Sequence, residues 1–110
     1  MNALKNKVQL IGNLGRDPEI ITTENGYKLA RFSMATSDSY KNAQGQKVED
    51  TQWHQIVAWG KIADIIEQYV TKGQQVAVEG KLMHRSYETE GGDKRFTTEI
   101  RCNELLLLGK

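Results

Sequence analysis

Hydrophobic and polar residues alternate along residues 4–14, a pattern typical of a β-strand with one buried and one exposed face. Leu4, Val8, Leu10 and Leu14 have one parity, and Lys5, Lys7, Gln9 and Asn13 have the other. Gly15 and Pro18 then interrupt the pattern, which predicts a turn. The chain therefore begins with a half-buried strand whose outer face is basic and polar.

A second alternating stretch covers residues 27–37 and follows an Asn25-Gly26 pair, which is typical of a β-hairpin turn. Its predicted core-facing residues are Ala30, Phe32 and Met34. Residues 40–50 are polar and contain a glycine, so they predict a long, exposed hairpin loop. A third strand is expected directly after this loop.

Both tryptophans of the chain lie in the stretch DTQWHQIVAWG, at residues 50–60. In a β-strand, Trp53 and Trp59 point to the same face, together with Gln55 and Val57. A core face would disfavour Gln55, because burying an unpaired amide costs about 1–3 kcal/mol. The pattern favours an aromatic surface kept for a ligand, and packing of both indoles in the core is the alternative.

One helix and two further strands complete the pattern. Residues 61–73 carry apolar side chains at helical spacing, with Gly73 as the predicted C-terminal cap. These apolar residues are Ile62, Ile65, Ile66 and Tyr69. Alternation resumes in residues 74–88, with Val76, Val78 and Leu82 on one face and Lys81, Arg85 and Tyr87 on the other. A glycine turn leads to the last strand, whose apolar residues are Phe96, Ile100 and Cys102.

Three strands, one helix and two strands predict an all-β fold, a five-stranded antiparallel barrel with the helix between strands 3 and 4. This is the order of the OB-fold, whose exposed face and loops bind oligonucleotides or oligosaccharides. SH3-like barrels also have about five strands, but the single helix in this position favours the OB-fold. The 110 residues suffice for a single domain spanning residues 1–110.

Composition excludes several classes of function. The net charge of +1 does not by itself indicate a nucleic-acid ligand, so such a function depends on where the cations lie. No apolar run is long enough to cross a membrane, and the N-terminal sequence lacks the apolar region of a secretory signal. A cytoplasmic protein is expected.

The sequence has no Gly-rich phosphate loop, no metal-ligand spacing and no nucleophile motif, so neither an enzyme nor a cofactor or metal is expected. Cys102 and His54 could in principle form a thiol and its base. However, Cys102 lies on an apolar strand face, where the pKa of a thiol rises and its reactivity falls. Cys102 is therefore predicted to be a small core residue.

Four stretches of the chain resemble those of bacterial single-stranded DNA-binding proteins, in the same order and at the same spacing. They are VQLIGNLGRDPE, RFSMATSDSY, TQWHQIVAWGKIADIIEQYVTKGQQVAVEGKL and RFTTEI, within residues 5–102. The resemblance implies an OB-fold that assembles as a homotetramer, with a dimer as the alternative. It also implies a protein that coats single-stranded DNA during replication, repair and recombination.

The resemblance implies that Tyr40, Trp53, Trp59 and Tyr87 stack on DNA bases. The family more often has tryptophan where Tyr40 and Tyr87 stand, so weaker stacking is expected at these two positions. It more often has phenylalanine where Trp59 stands, which enlarges the stacking surface. Such stacking tolerates any sequence, because every base has a π-face.

Phosphates require cations beside these rings, on outward strand positions or at the ends of elements. The candidates are Lys7, Arg31, Lys61, Lys72, Lys81, Arg85 and Arg95. The resemblance further implies subunit contacts through the first strand and the strand face opposite the tryptophans. The candidates there are Leu4, Val8 and His54.

Two other functions fit parts of the pattern. A dimeric primosomal OB-fold protein matches the short chain, although GNLGRDPE and WHQIVAWGKIA follow the coat protein more closely. An OB-fold module for proteins or oligosaccharides would use the same aromatic face for another ligand. The resembling family normally continues into an acidic tail, whereas this sequence ends in LLLLGK. Tail-dependent replication and repair partners are therefore not expected for this chain.

Overall fold

The computed structural model describes residues 4–109. The elements are β1 (Val8–Leu14), β2 (Glu19–Thr22), β3 (Lys28–Lys41), β4 (Lys47–Trp59), α1 (Lys61–Tyr69), β5 (Gln75–Glu88) and β6 (Lys94–Gly109). β1 pairs with both β5 and β3, β6 joins β5 to β4, and β4 pairs with β3. These five strands close into a barrel, and the predicted all-β OB-fold with one helix is confirmed.

Two details of the sheet differ from the prediction. The contact between β4 and β6 is parallel, with Ile56 opposite Ile100 and Val57 opposite Arg101, whereas the prediction was antiparallel throughout. The helix and β5 separate these two strands in the chain, and such a long crossover permits parallel pairing. The short β2 lies outside the barrel and pairs with β3. Its sequence, EIIT, is too short to show an alternating pattern.

The barrel interior contains most of the predicted apolar residues, but Leu4 and Leu82, which were predicted on buried strand faces, are exposed. The buried core consists of Leu14, Ala30, Phe32, Met34, Ile56, Ala58, Ala63, Ile66, Val70, Val76, Val78, Ile100 and Cys102. Burial raises the pKa of the Cys102 thiol to about 11, and its Sγ donates to the carbonyl oxygen of Glu104. Cys102 is therefore a core residue, as predicted.

The helix α1 is shorter than the predicted helix and presents a different face to the barrel. Ala63 and Ile66 are buried, whereas Ile65 and Tyr69 are exposed, contrary to the prediction. Val70 already has an extended backbone, and its side chain lies in the core. Gly73 consequently lies beyond the helix, in a turn, and does not cap it.

Two hairpins extend beyond the barrel as exposed ribbons. The predicted loop over residues 40–50 is wrong, because β3 continues to Lys41 and β4 begins at Lys47. The tight turn between them is held by Asn42, whose Oδ1 accepts backbone N–H groups from Gln44 and Gln46. In the β5–β6 ribbon, Phe96 is 74% exposed, so it is not a core residue despite its parity with Ile100.

Candidate nucleic-acid interface

The register between β3 and β4 determines which side chains point outward. Ile56 and Ala58 are buried in the core, so the residues that alternate with them lie on the outer surface. We define the aromatic face as the outer surface of β4 formed by Trp53, Gln55, Val57 and Trp59. Their partners on β3 are Ala35, Ser33, Arg31 and Leu29, respectively. The two indoles thus share one face, as the alternation predicts.

Gln55 shows that the aromatic face is a solvent-facing surface. Its side chain is exposed, and its Nε2 donates a hydrogen bond of 3.0 Å to Oγ of Ser33 on β3. The amide therefore has a partner and remains in contact with water. The desolvation cost that argued against a core position for Gln55 does not arise.

Trp53 is the more accessible of the two indoles, with 58% of its surface exposed. One edge of its ring lies against Gly15, where an added Cβ would come 2.6 Å from Cζ3. A small cavity beside the ring is lined by Gly15, Arg16, Ser33 and Trp53. Trp53 therefore presents an aromatic surface next to an open space and a cation.

Trp59 is half-buried and has a second role in packing. Leu29 lies directly opposite it on β3, and Val57 lies two residues away on the same face. Both residues are buried although they belong to the outer surface, at 8% and 5% exposure. The register places the Trp59 indole beside both of them, and part of its ring remains accessible to a ligand.

The two tyrosines lie on the ribbons, and each is 55% exposed. Tyr87 is opposite Arg95 on β6 and shares its strand face with Arg85. Tyr40 is opposite Val48, and its parity places it on the same side of the β3–β4 ribbon as His54. The structure therefore does not bring Tyr40 onto the face of Trp53, although it leaves the ring accessible.

A row of cations crosses the aromatic face between the two indoles. Val57 pairs with Arg31 on β3 and with Arg101 on β6, and Arg101 pairs with Lys81 on β5. Paired residues on neighbouring strands point to the same side and are about 5 Å apart. Arg101 was missing from the predicted cations, because its position beside Val57 depends on the parallel contact between β4 and β6.

The other predicted cations occupy different surroundings. Lys61 begins α1 directly after the aromatic strand, and Lys72 lies in the loop after the helix. The backbone N–H of Lys72 donates to Oδ1 of Asp17, which joins this loop to the turn after β1. Arg31 forms an exposed ion pair with Glu19 at 4.0 Å, and Arg85 pairs at 3.2 Å with Glu99, whose side chain is half-buried. An exposed pair is weak, so a phosphate can compete with Glu19 for Arg31.

Lys7 directly precedes β1, whose first residue is opposite Gly80 on β5. The Nζ of Lys7 lies 3.4 Å from Glu79, on the surface of the β1–β5 pair. A hydrogen bond from Gln9 and the charge of Lys7 lower the pKa of Glu79. The residue after Gly80 on β5 is Lys81, so Lys7 lies near the cations of the aromatic face, and its contribution to the basic groove stays a prediction.

The three residues predicted to form subunit contacts differ in their exposure to solvent. Leu4 is 80% exposed and precedes β1, and Val8 packs partly against the core. His54 is half-buried, and its Nε2 lies 2.9 Å from Oγ1 of Thr36. A larger exposed apolar surface joins Ile11 and Leu106 through Ala77, because these three residues are paired across β1, β5 and β6. Sequence reasoning missed this surface.

Within residues 4–109, no group of three or more His, Cys, Asp or Glu side chains is arranged to hold a metal ion. No helix in that range is long and apolar enough to cross a membrane. The aromatic face and its cations are therefore the main chemical feature of the described surface. A closed five-stranded barrel with such a face is an OB-fold binding module.

Comparison with known proteins identifies the family. The sequence model of the single-strand binding protein family matches residues 5–108, and the chain belongs to this family. Single-stranded DNA-binding protein 1 of Chlorobaculum tepidum is 50% identical over 105 residues, which are 94% of this chain. A protein of the same name from Xylella fastidiosa is 44% identical and is matched over 78% of its length. The chain spans 65% of the length of the Chlorobaculum protein.

Solved structures of single-stranded DNA-binding proteins are also similar to this chain. Plasmodium falciparum SSB in complex with ssDNA superposes with a TM-score of 0.86 and 35% identity, over 98% of this chain and 99% of that chain. A deletion mutant of the single-stranded DNA-binding protein from Thermus aquaticus has a TM-score of 0.81 and 29% identity. That match covers 94% of this chain and 50% of the other. The OB-fold and the family membership therefore agree.

Proposed function

We propose that this chain binds and protects single-stranded DNA without sequence preference, in replication, recombination and repair. The observation that carries this proposal is the row of Arg31, Arg101 and Lys81 across the face that holds both indoles. Bases stack on the exposed ring of Trp53 and on the accessible part of the Trp59 ring, while phosphates contact the cations between them. The related proteins named above as DNA-binding support this assignment.

The tyrosines extend the same path onto the ribbons. Tyr87 continues it along the face that also carries Arg85 and Arg95. Tyr40 contacts DNA only where the strand passes around the edge of the β3–β4 ribbon, because its ring points to the other side. Lys61 and Lys72 add positive charge at the helix start and in the following loop.

Titration of poly(dT) at several salt concentrations tests the proposal. Each phosphate contact on a single strand contributes about −0.7 to the slope of log K against log salt. Arg101→Gln and Lys81→Gln should each make the slope shallower by about this amount, without creating a base preference. Lys28→Gln is the matched control and should leave the slope unchanged, because the Nζ of Lys28 is paired with Asp64 and Glu67 of α1, on the strand face opposite the indoles.

A slope near zero for the unaltered protein would contradict DNA binding and favour an oligosaccharide or protein ligand. A primosomal role remains the closest alternative within DNA-binding OB-folds. We infer a binding protein of the cytoplasm and not an enzyme. The one cysteine of the chain supports this, since Cys102 is buried and its pKa is raised to about 11, which removes the thiolate.

We further propose that the chain assembles as a homotetramer through the apolar surface of Ile11, Ala77 and Leu106. Ile11 and Leu106 are 59% and 62% exposed, and exposed apolar patches on a sheet commonly mark protein interfaces. The β1 edge beside this surface pairs with β3 only at Asn13 and Leu14, so its earlier residues offer free backbone groups.

Ile11→Glu should lower the mass measured by light scattering at micromolar concentration, because it places a charge in the proposed contact. Tyr69→Glu is the control, since Tyr69 is also 59% exposed but lies on α1. It should keep four times the mass of one chain. A tetramer that survives Ile11→Glu would place the contact elsewhere, and a dimeric unaltered protein would favour the primosomal alternative.

A further inference from the structure

Gly15 is required by the position of the Trp53 ring and not by its own backbone. An alanine Cβ at this position would lie 2.6 Å from Cζ3 and 2.7 Å from Cη2 of the indole. The backbone of Gly15 has no positive φ, so other residues could adopt its conformation. The absence of a side chain at Gly15 therefore allows one edge of the indole to pack against the turn after β1.

The cavity beside this ring combines three kinds of contact. Its lining includes an aromatic residue, Trp53, a cationic residue, Arg16, and a hydroxyl residue, Ser33. The hydroxyl is already oriented, because Nε2 of Gln55 donates to it. The Arg16 side chain is exposed and has neither an ion pair nor a hydrogen bond within residues 4–109.

The neighbouring carboxylate of Asp17 forms no ion pair with Arg16 within residues 4–109. Asp17, the next residue, accepts a hydrogen bond of 2.8 Å from the backbone N–H of Lys72. This bond also holds the loop that carries Lys72 against the turn that carries Arg16. Arg16 is the cation that lines the cavity, and its guanidinium is well suited to a phosphate because it can donate two parallel hydrogen bonds.

We propose that this cavity is a nucleotide subsite, in which Trp53 stacks on one base and Arg16 binds the phosphate attached to that nucleotide. The inference rests on the proposed single-stranded DNA binding and adds a phosphate contact to it. Stacking and phosphate binding are coupled here, because the same nucleotide makes both contacts. A cation that attracted DNA only through its charge would act independently of the ring.

A double-mutant cycle with poly(dT) tests this coupling. Arg16→Gln should weaken binding about threefold to tenfold, as expected for one exposed charged contact. Combined with Trp53→Ala, it should add little to the effect of Trp53→Ala alone, because the nucleotide is no longer held in the cavity. Combined with Tyr87→Ala on the distant β5–β6 ribbon, its effect should multiply in full, which is the matched control.

Gly15→Ala gives a second, independent test. The added methyl group should displace the exposed ring without unfolding the protein, so binding should weaken even though Gly15 has no side chain for DNA to contact. In a Trp59→Phe background, the emission of Trp53 should change in free Gly15→Ala protein, and poly(dT) should quench it less.

The outcomes separate this inference from the proposed function. Strong binding of poly(dT) by the unaltered protein, with Arg16→Gln and Trp53→Ala acting independently, would overturn the subsite alone. Unchanged binding by Gly15→Ala would also overturn it. Failure of the unaltered protein to bind poly(dT) would overturn both proposals.

Discussion

Replacing Trp53 by alanine should weaken poly(dT) binding and leave the fold intact, whereas the same change at Trp59 should damage both. Trp53 is 58% exposed, so its ring contributes more to ligand binding than to the stability of the fold. Losing one stacking contact should cost about 1–3 kcal/mol of binding, or roughly 5-fold to 150-fold in affinity. Trp59 is half-buried opposite Leu29, and its removal should also lower the free energy of unfolding by about 2 kcal/mol.

Urea unfolding followed by circular dichroism measures the free energy of unfolding, and poly(dT) titration measures the affinity for DNA. Trp59→Phe is the control, since a smaller ring still covers Leu29 and Val57 and still stacks on a base. It should retain most of the stability and most of the affinity. Equal loss of stability in Trp53→Ala and Trp59→Ala would show that both indoles are packing residues and that the aromatic face is not a ligand surface.

Alternation of apolar and polar residues correctly predicts burial in the barrel, where one face of each strand packs against the core. Ala30, Phe32 and Met34 are buried, and Trp53 and Trp59 share the opposite surface. The prediction succeeds there because the barrel interior selects apolar residues at every second position. The glutamine between the tryptophans was informative for the same reason, as it could not belong to the buried set.

The ribbons were harder to predict, because they extend beyond the barrel and both of their faces meet solvent. Without a core, nothing requires alternation, so the strand residues 40–41 and 47–50 have the composition of a loop. Phe96 shows the converse error, since it follows the parity of Ile100 but lies past the end of the barrel. Apolar parity therefore indicates burial only over the length of strand that the barrel contains.

The surroundings of the cations could not be predicted from the local sequence. Lys7 is close in sequence to the first strand, but its environment depends on Glu79, far along the chain. Arg101 joins the aromatic face only through the parallel contact between β4 and β6, which no neighbouring residues indicate. Likewise, the proximity of Arg16 to Trp53 follows from how the turn after β1 meets β4. Such positions depend on register and closure of the barrel.

Barrel closure should also be the most sensitive point of the fold, and alanine at Gly12 should disrupt it. A Cβ at Gly12 would come 2.2 Å from the carbonyl oxygen of Ala35, which belongs to the backbone of β3 and cannot rotate away. β1 changes partner here, pairing with β5 up to Asn13 and with β3 at Asn13 and Leu14. Relieving the clash requires the two strands to separate.

Gly12→Ala should therefore cost about 3 kcal/mol or more of the free energy of unfolding, at or above the usual range for overpacking. Gly91→Ala is the matched control, because Gly91 has no positive φ and a Cβ there would meet nothing closer than 4.0 Å. Its urea midpoint should stay close to that of the unaltered protein. If Gly12→Ala unfolded at the same urea concentration as Gly91→Ala, β1 would not approach β3 this closely. The barrel would then be open at this contact, and Gly15 and Arg16, which follow β1 directly, would not be held beside Trp53.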